Sequence, residues 1–590
     1  MQEPAIFYND QIEKYRIQLN TASKKLAFSS TLRLLVFLTM AYAVYAFWGD
    51  LTAILVSIIV GMGIFLFLVS RHSDLKYERD KFRELIRINE TELEVLKRNF
   101  QNLPTGAEFA DPMHPYSQDI DLFGRGSFFQ YLNRTTLIEG KEKLAQLLLS
   151  NNIDEIHLKQ EAVKELSENA DWRQNFSAIA TLVKTENRAL AIAEWLNHYK
   201  TFVPGIMKWL PVLFSALSVA IITGFILDYI SGVALGIWFF TGLLITGAYL
   251  KQIKRLSESV SKVQDTFHQY YQLVAIIENT PFDSQLLEKN KDLIVSEKQK
   301  ASAILKKFSK AIDALEQRNN MIFGIIGKGF MLWDLRYSWK LEQWIKEHGQ
   351  EVQKWFRAIE FLDAYNSLGN FAFNHPSYVF PELHHDSHIS EAKQLAHPLL
   401  NPETRIANDF SIEKEQFFII TGANMAGKST FLRTVSLQIL MANVGLPVCA
   451  TYCCYTPIKL ITSMRTTDSL TDDESYFFSE LKRLKFVVDE IRTDQYFIIL
   501  DEILKGTNST DKAIGSRKFI EKLVRSKSTG IIATHDLSLC EVARELPQVE
   551  NYYFDAEIIN DELNFDYRFK EGICQNMNAS FLLKKMEIVD

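Results

Sequence analysis

Phe417-Phe418-Ile419-Ile420-Thr421-Gly422-Ala423-Asn424-Met425-Ala426-Gly427-Lys428-Ser429-Thr430 is the stretch on which the reading of this chain turns. The apolar run Phe417 to Ile420 has the composition of a buried strand, and the glycine-bounded loop after it leads into a helix. In that context the loop is read as a phosphate cradle. Glycines let the backbone curl so that N–H groups converge on a β-phosphate, and the helix adds its positive N-terminal end. Gly422, Ala423, Asn424, Met425, Ala426 and Gly427 would line the cradle with Thr430 closing the motif. Lys428 would bridge β- and γ-phosphates, and Ser429 would hold Mg²⁺ through its hydroxyl.

Two further strand signals follow. Tyr496 to Leu500 ends in Asp501 and Glu502, which places Asp501 to bind Mg²⁺ and Glu502 to orient or deprotonate an attacking water. Gly530 to Ala533 is followed by Thr534, His535 and Asp536, and a His at the C-terminal end of a strand can sense a γ-phosphate or position the water. Strands alternating with helices at this spacing imply a largely parallel α/β sheet over residues 389–590.

Upstream the texture differs. Four uncharged apolar runs come in two pairs, Leu34 to Gly49 with Leu51 to Ser70, and Trp209 to Leu227 with Tyr229 to Leu250. A bilayer core needs roughly 20 apolar helical residues, which the last three runs supply and the first supplies if Arg33 snorkels. Asp50 and Asp228 mark the turns, whereas Lys24, Lys25, Arg33, Arg71 and Lys76 and then Lys200, Lys208, Lys251, Lys254 and Arg255 mark the flanks. The positive-inside rule then places both termini and the C-terminal domain on the cytoplasmic side of an inner membrane, with lipid as the partner of both hairpins. The start of the chain shows no basic segment running directly into an apolar one, so no cleaved secretion signal is expected.

The expected organisation is an α plus α/β chain: a cytoplasmic segment 1–30, hairpin 31–71, helical region 72–200, hairpin 205–251, helical region 252–388 and the α/β domain 389–590. Ser73 to Phe100 carries one apolar stripe of a long amphipathic helix, and Asn102 to Gly126 reads as a linker. The cations of Lys298 to Arg318 fit either a solvated helix face or phosphate contact. Lys plus Arg is 65 and Asp plus Glu 72, a net charge of −7, which excludes a uniformly basic nucleic-acid coat. Five cysteines, all beyond residue 448, form neither a disulfide framework nor a zinc pattern.

The Asn424-Met425 variant of the loop, Ser475-Tyr476-Phe477-Phe478-Ser479-Glu480 downstream of Asp468, Asp501 through Thr507 and Ala533-Thr534-His535 together resemble the ATPase domain of MutS-type proteins, which are ABC-like ATPases. Asp121 to Ser127 and Tyr131 to Thr136 resemble, more weakly, the opening of that family's helical core and lever region. The resemblance implies ATP and Mg²⁺ as cofactors and a homodimer in which Ser475 reaches the γ-phosphate held by the other subunit. Thr507 and Asp511 would line the loop at the dimer interface, and Gly572 to Ser580 would brace the partner. It implies mismatched, damaged or structured DNA as the ligand. The chain departs from the family in lacking an N-terminal Phe-x-Glu mismatch reader and in carrying Arg405 where relatives place an aromatic against adenine; Arg405 is expected to contact the ATP base by stacking its guanidinium plane instead. An ATP-driven membrane switch acting on a protein or lipid partner without DNA, and a scaffold with negligible turnover, stay open beside the DNA reading.

Overall fold

The computed structural model describes residues 3–182, 189–295, 299–384, 388–423, 425–465, 476–559 and 562–575. The first two elements are α1 (Pro4–Ala46) and α2 (Leu51–Leu96), continuous helices of 43 and 46 residues joined at Gly49, whose φ of 105° only glycine adopts freely. No Gly or Pro separates Ser70 from the amphipathic stripe, so the expected hairpin and the expected helix 73–100 are one rod. Its closed end is apolar and uncovered. In the most apolar 18-residue window of each helix, 6% and 0% of residues are buried. At the open end Tyr8, Ile12 and Tyr15 of α1 and Leu85 and Ile86 of α2 are buried in the helical body.

That body contains α3 (Phe128–Leu132), α4 (Ile138–Leu149), α5 (Ile156–Glu168), α6 (Ala170–Thr181) and α7 (Ala189–His198). The second apolar pair follows as α8 (Leu210–Ile226) and α9 (Gly232–Gly247), of 17 and 16 residues. Both are shorter than the roughly 20 residues expected to cross a bilayer. Pro211 stands in the first turn of α8, and Asp228, in left-handed backbone with φ of 57°, turns the chain at its end. Then α9 meets α10 (Leu250–Asn279) at a 64° bend. Among the described residues α1 and α2 are long and apolar enough to cross a membrane, and α9 with the start of α10 makes a bent third candidate.

The chain continues through α11 (Gln285–Lys291), α12 (Ala301–Glu316), α13 (Met321–Met331), α14 (Trp333–His348) and α15 (Val352–Asn374). The short apolar helix α13 packs on the second hairpin. A Cβ on Gly329 would enter the Phe239 ring and one on Gly242 would strike the Gly329 carbonyl, so both helices depend on glycine for this approach. Much of α15 is buried, and it leads into the C-terminal sheets.

The strand region begins at β1 (Glu382–Leu383), ahead of the expected boundary at 389, and continues with β2 (His388–Leu395), β3 (Asn408–Glu413) and β4 (Phe417–Gly422). After α16 (Lys428–Asn443) come β5 (Tyr452–Tyr455), β6 (Lys459–Ser463), α17 (Tyr476–Glu490), β7 (Tyr496–Asp501), α18 (Ser509–Arg525) and β8 (Thr529–Ala533). The last elements are α19 (Val542–Glu545), β9 (Val549–Phe554), β10 (Ala556–Ile559), β11 (Glu562–Phe565) and β12 (Lys570–Glu571). One sheet has the order β12-β9-β4-β8-β7-β6, parallel except for the edge strand β12. A second has the order β1-β5-β2-β3, and β10 pairs with β11 as a hairpin. Every residue of β4 and β8 is buried, which accounts for their unbroken apolar sequence.

The expected linker 102–126 is a packed joint. Tyr116, Ile120 and Leu122 are buried, Asp119 accepts hydrogen bonds from Thr462 and from the Arg465 backbone, and Asp121 receives the Arg465 guanidinium on both oxygens. Arg483 of α17 donates to the carbonyl of Pro115.

Candidate functional site

The central strands β4, β7 and β8 are in parallel register, so their C-terminal ends deliver three loops to one corner. From β4 comes the glycine loop. Gly422 has φ of 147° and a Cβ there would strike the Phe554 carbonyl, and Gly427, with φ of 108°, caps α16. Ala423 and Ala426 are buried, Met425 is exposed in left-handed backbone, and Ser429 and Thr430 are exposed in the first turn of α16. Asn424 lies outside the described residues, as does Ser475.

Lys428 is buried, and its ammonium donates to the carbonyls of Gly422 at 2.7 Å and Ala423 at 2.9 Å. Burial pulls it below the usual lysine range, opposed by Asp501 and Glu502. The Ser429 hydroxyl donates to Asp501 Oδ2 at 2.7 Å, bringing together the hydroxyl and carboxylate expected on Mg²⁺. Burial raises Asp501, and the Ser429 hydrogen bond counters it. Glu502 sits in left-handed backbone with φ of 51°, a strained conformation for a side chain of this size. Its N–H donates to the Ala533 carbonyl at 2.9 Å, which ties the end of β7 to β8. His535 Nε2 stands 2.9 Å from Glu502 Oε1 and 3.4 Å from Lys428 Nζ. That hydrogen bond, reinforced by Lys505 at 3.5 Å, holds the Glu502 carboxyl down at about 2, so it is ionised at neutral pH.

The hydroxyl–carboxylate pair fits Mg²⁺, which takes few protein ligands and fills its shell with water and phosphate oxygens. Beside Gly427 lies a cavity of about 280 Å³, lined among others by His397, Arg405, Phe431, Phe554 and Tyr567. Arg405 donates to the Tyr378 hydroxyl at 3.2 Å and lies over its ring at 5.8 Å, so its plane is already engaged. Tyr567 approaches Gly427, with Cδ1 3.1 Å from where a Gly427 Cβ would stand. Asn408 holds it by donating to its carbonyl at 3.0 Å.

Thr507 lies on the loop between β7 and α18. Asp511 is exposed in the first turn of α18, where its N–H donates to Asn508 Oδ1 at 2.9 Å and its carboxylate accepts from Asn508 Nδ2 at 2.7 Å. Sequence reasoning missed two residues. Tyr567 belongs to no motif. Glu480 lies within the Ser475–Glu480 block, but its task is visible only in three dimensions: its buried carboxylate accepts the Lys505 N–H at 3.0 Å and pins the loop after the acid pair.

Comparison with known proteins bears on this domain. The family model described as MutS domain V matches residues 418–586. The chain is 32% identical over 261 residues to MutS protein homolog 4 of Homo sapiens, covering 42% of this chain and 27% of that protein. It is 34% identical over 230 residues to DNA mismatch repair protein MutS of Fusobacterium nucleatum, covering 37% and 25%. To DNA mismatch repair protein MSH4 of Arabidopsis thaliana it is 30% identical over 197 residues, covering 32% and 24%. The chain thus spans about a quarter of the length of the curated relatives it matches. Over this C-terminal domain the chain is similar to the MutS family.

Proposed function

We propose that the chain is a membrane-anchored MutS-like ATPase in which ATP binding and hydrolysis within a dimer are coupled to binding of mismatched, damaged or structured DNA. The observation that carries it is the corner at the ends of β4, β7 and β8, where a glycine loop, a lysine, a hydroxyl–carboxylate pair and a His-bound glutamate converge. Lys428 gives a fixed cation beside the cradle, and Ser429 and Asp501 would hold Mg²⁺. Bound there, Mg²⁺ supplies charge neutralisation for phosphoryl transfer. Glu502, ionised and held by His535, is the acceptor for a water proton, and His535 sets its direction. In the dimer Ser475, Thr507 and Asp511 would complete the site from the other subunit. The names of the relatives support DNA as the ligand.

Membrane anchoring rests on the uncovered apolar ends of α1 and α2 and on α8 and α9. A soluble chain would expose that area to water at high cost. The cationic flanks of both hairpins support a placement of both termini and the ATPase domain on the cytoplasmic side of the inner membrane. The unbroken passage of α1 and α2 from the apolar end into the helical body favours one second reading, an ATP-driven membrane switch acting on a protein or lipid partner without DNA.

Steady-state ATP hydrolysis by the detergent-purified chain separates the two, measured with homoduplex, mismatched and four-way-junction DNA against a Lys428→Ala blank. Stimulation by one DNA form is expected. Turnover indifferent to every DNA but responsive to lipid would replace this reading with the membrane switch.

A further inference from the structure

Helix α13 reads MIFGIIGKGFM, and Lys328 is its one ionisable residue. A short helix on a body surrounded by water turns its apolar face inward and its charge to solvent. In α13 that arrangement is reversed. Lys328 Nζ lies 3.9 Å from Asp334 Oδ2, a carboxylate only 1% exposed, and Arg318 Nε approaches the same oxygen at 3.6 Å. Outward stand Ile325, Ile326 and Met331, at 49%, 46% and 38% exposure. Ionisable residues in elements that meet lipid are paired on the protein side, as Lys328 is here.

The second observation is where the helix sits. Scattered exposed apolar residues are ordinary, whereas a continuous apolar surface marks contact with something other than water. Helix α13 packs against both α8 and α9. On α9, Ile237, Phe240 and Leu244 are 64%, 63% and 76% exposed. A run of rings carries that surface onto α13, with Phe240 beside Phe239 at 5.8 Å and Phe239 beside Phe330 at 5.1 Å.

We propose that α13 is a further lipid-contacting element, seated at the acyl boundary of one leaflet with Ile325 and Ile326 against the chains. The proposal rests on the membrane-anchored reading of the two hairpins. Eleven residues make a helix of about 16 Å against a bilayer core of about 30 Å, so α13 enters one leaflet and does not cross. Arg318 lies just after α12 and Asp334 in the first turn of α14, so the ion cluster ties the lipid-facing helix to both of its neighbours in the helical body.

The test uses the full chain in phosphatidylcholine nanodiscs, with Cys454→Ser removing the one thiol that is not buried. A nitroxide on Ile325→Cys is read by its collision rates with oxygen, which concentrates among acyl chains, and with a water-soluble nickel chelate. Phe67→Cys on α2, 71% exposed, is the lipid reference, and Met113→Cys, 77% exposed, is the water reference. The oxygen-to-nickel ratio at position 325 is expected within about threefold of the Phe67 value and about tenfold above the Met113 value. A nickel-accessible label at 325 beside a lipid-like Phe67 would overturn the proposal and leave the anchoring intact. A label shielded from both reagents would overturn it as well, because a protein surface would then cover the helix. If Phe67→Cys itself reads as water, the anchoring fails and the proposal falls with it. Ile326→Cys carries the comparison if the first variant does not fold. If neither folds, the unsubstituted chain in nanodiscs containing a photoreactive acyl chain decides: adducts within residues 321–331 are expected, adducts on α2 alone would overturn the proposal, and adducts on neither would remove the anchoring too.

Discussion

Glu502 in the corner at the glycine loop and Asp363 in the helical body are two acids drawn away from water, and their surroundings push them in opposite directions. Glu502 receives a hydrogen bond from His535 and lies near Lys505, and it is pulled down to about 2. Asp363 is fully enclosed and accepts from the Thr136 N–H and hydroxyl and from the Leu137 N–H at 2.9 Å, yet burial pushes it up to about 6. No cation pairs with it among the described residues, and Glu139 adds repulsion. Neutral dipoles orient a carboxylate, whereas nearby cations also offset its removal from water. The first acid is therefore kept ionised, as the proposed proton transfer requires, and the second is a joint that ties the start of α4 to α15.

The largest way to break this contrast is Glu502→Gln, which preserves size and removes the proton acceptor. Turnover should fall by on the order of 10²–10³-fold while ATP still binds, as read by steady-state rates beside equilibrium nucleotide binding. A loss below tenfold would put the proton on another group.

Asp363→Ala should leave turnover of the folded enzyme unchanged and destabilise the body by about 3 kcal/mol, because the Thr136 and Leu137 N–H groups lose their acceptor. Its pH signature has a defined sign. With an ordinary value of 3.8 and a folded value of about 6, the unfolded chain releases this proton first, so the group's contribution falls as pH rises through that window and is level above it. Glu502 runs the other way: its contribution is present above 4.5 and is lost as pH falls towards about 2. Denaturant unfolding across both windows should show the Asp363 slope vanish in the Ala variant and the Glu502 slope persist.

The smallest effect sharpens the corner itself. Tyr567→Ala should raise KM for ATP by about tenfold through loss of stacking, and Arg405→Ala by less than about threefold because its plane rests on Tyr378. The reverse order would return the base contact to Arg405.

The corner was largely legible because its chemistry is written in short local blocks. The glycine loop, Asp501-Glu502 and Thr534-His535 each follow an apolar run, and parallel register alone brings their ends together. The apolar pairs were legible as helices for the same reason. Their actual lengths were not, since Pro211 and the 64° bend between α9 and α10 shorten the second pair below the length its composition suggested. Asn102 to Gly126 read as a linker because its turn residues are local signals, while the partners that bury it, Thr462, Arg465 and Arg483, lie more than three hundred residues away.

What the sequence determined by itself was the three strands that end at the corner, the glycine loop with its two partner blocks, and the uncharged runs, all set by neighbours within a few positions. What only the tertiary structure decided was the grip of Glu480 on the Lys505 loop, Tyr567 beside Gly427, and α13 against the second hairpin with Lys328 turned in to Asp334. Those residues have no pattern among their sequence neighbours. Their roles come from which groups packing has removed from water, and packing joins residues by space and not by order.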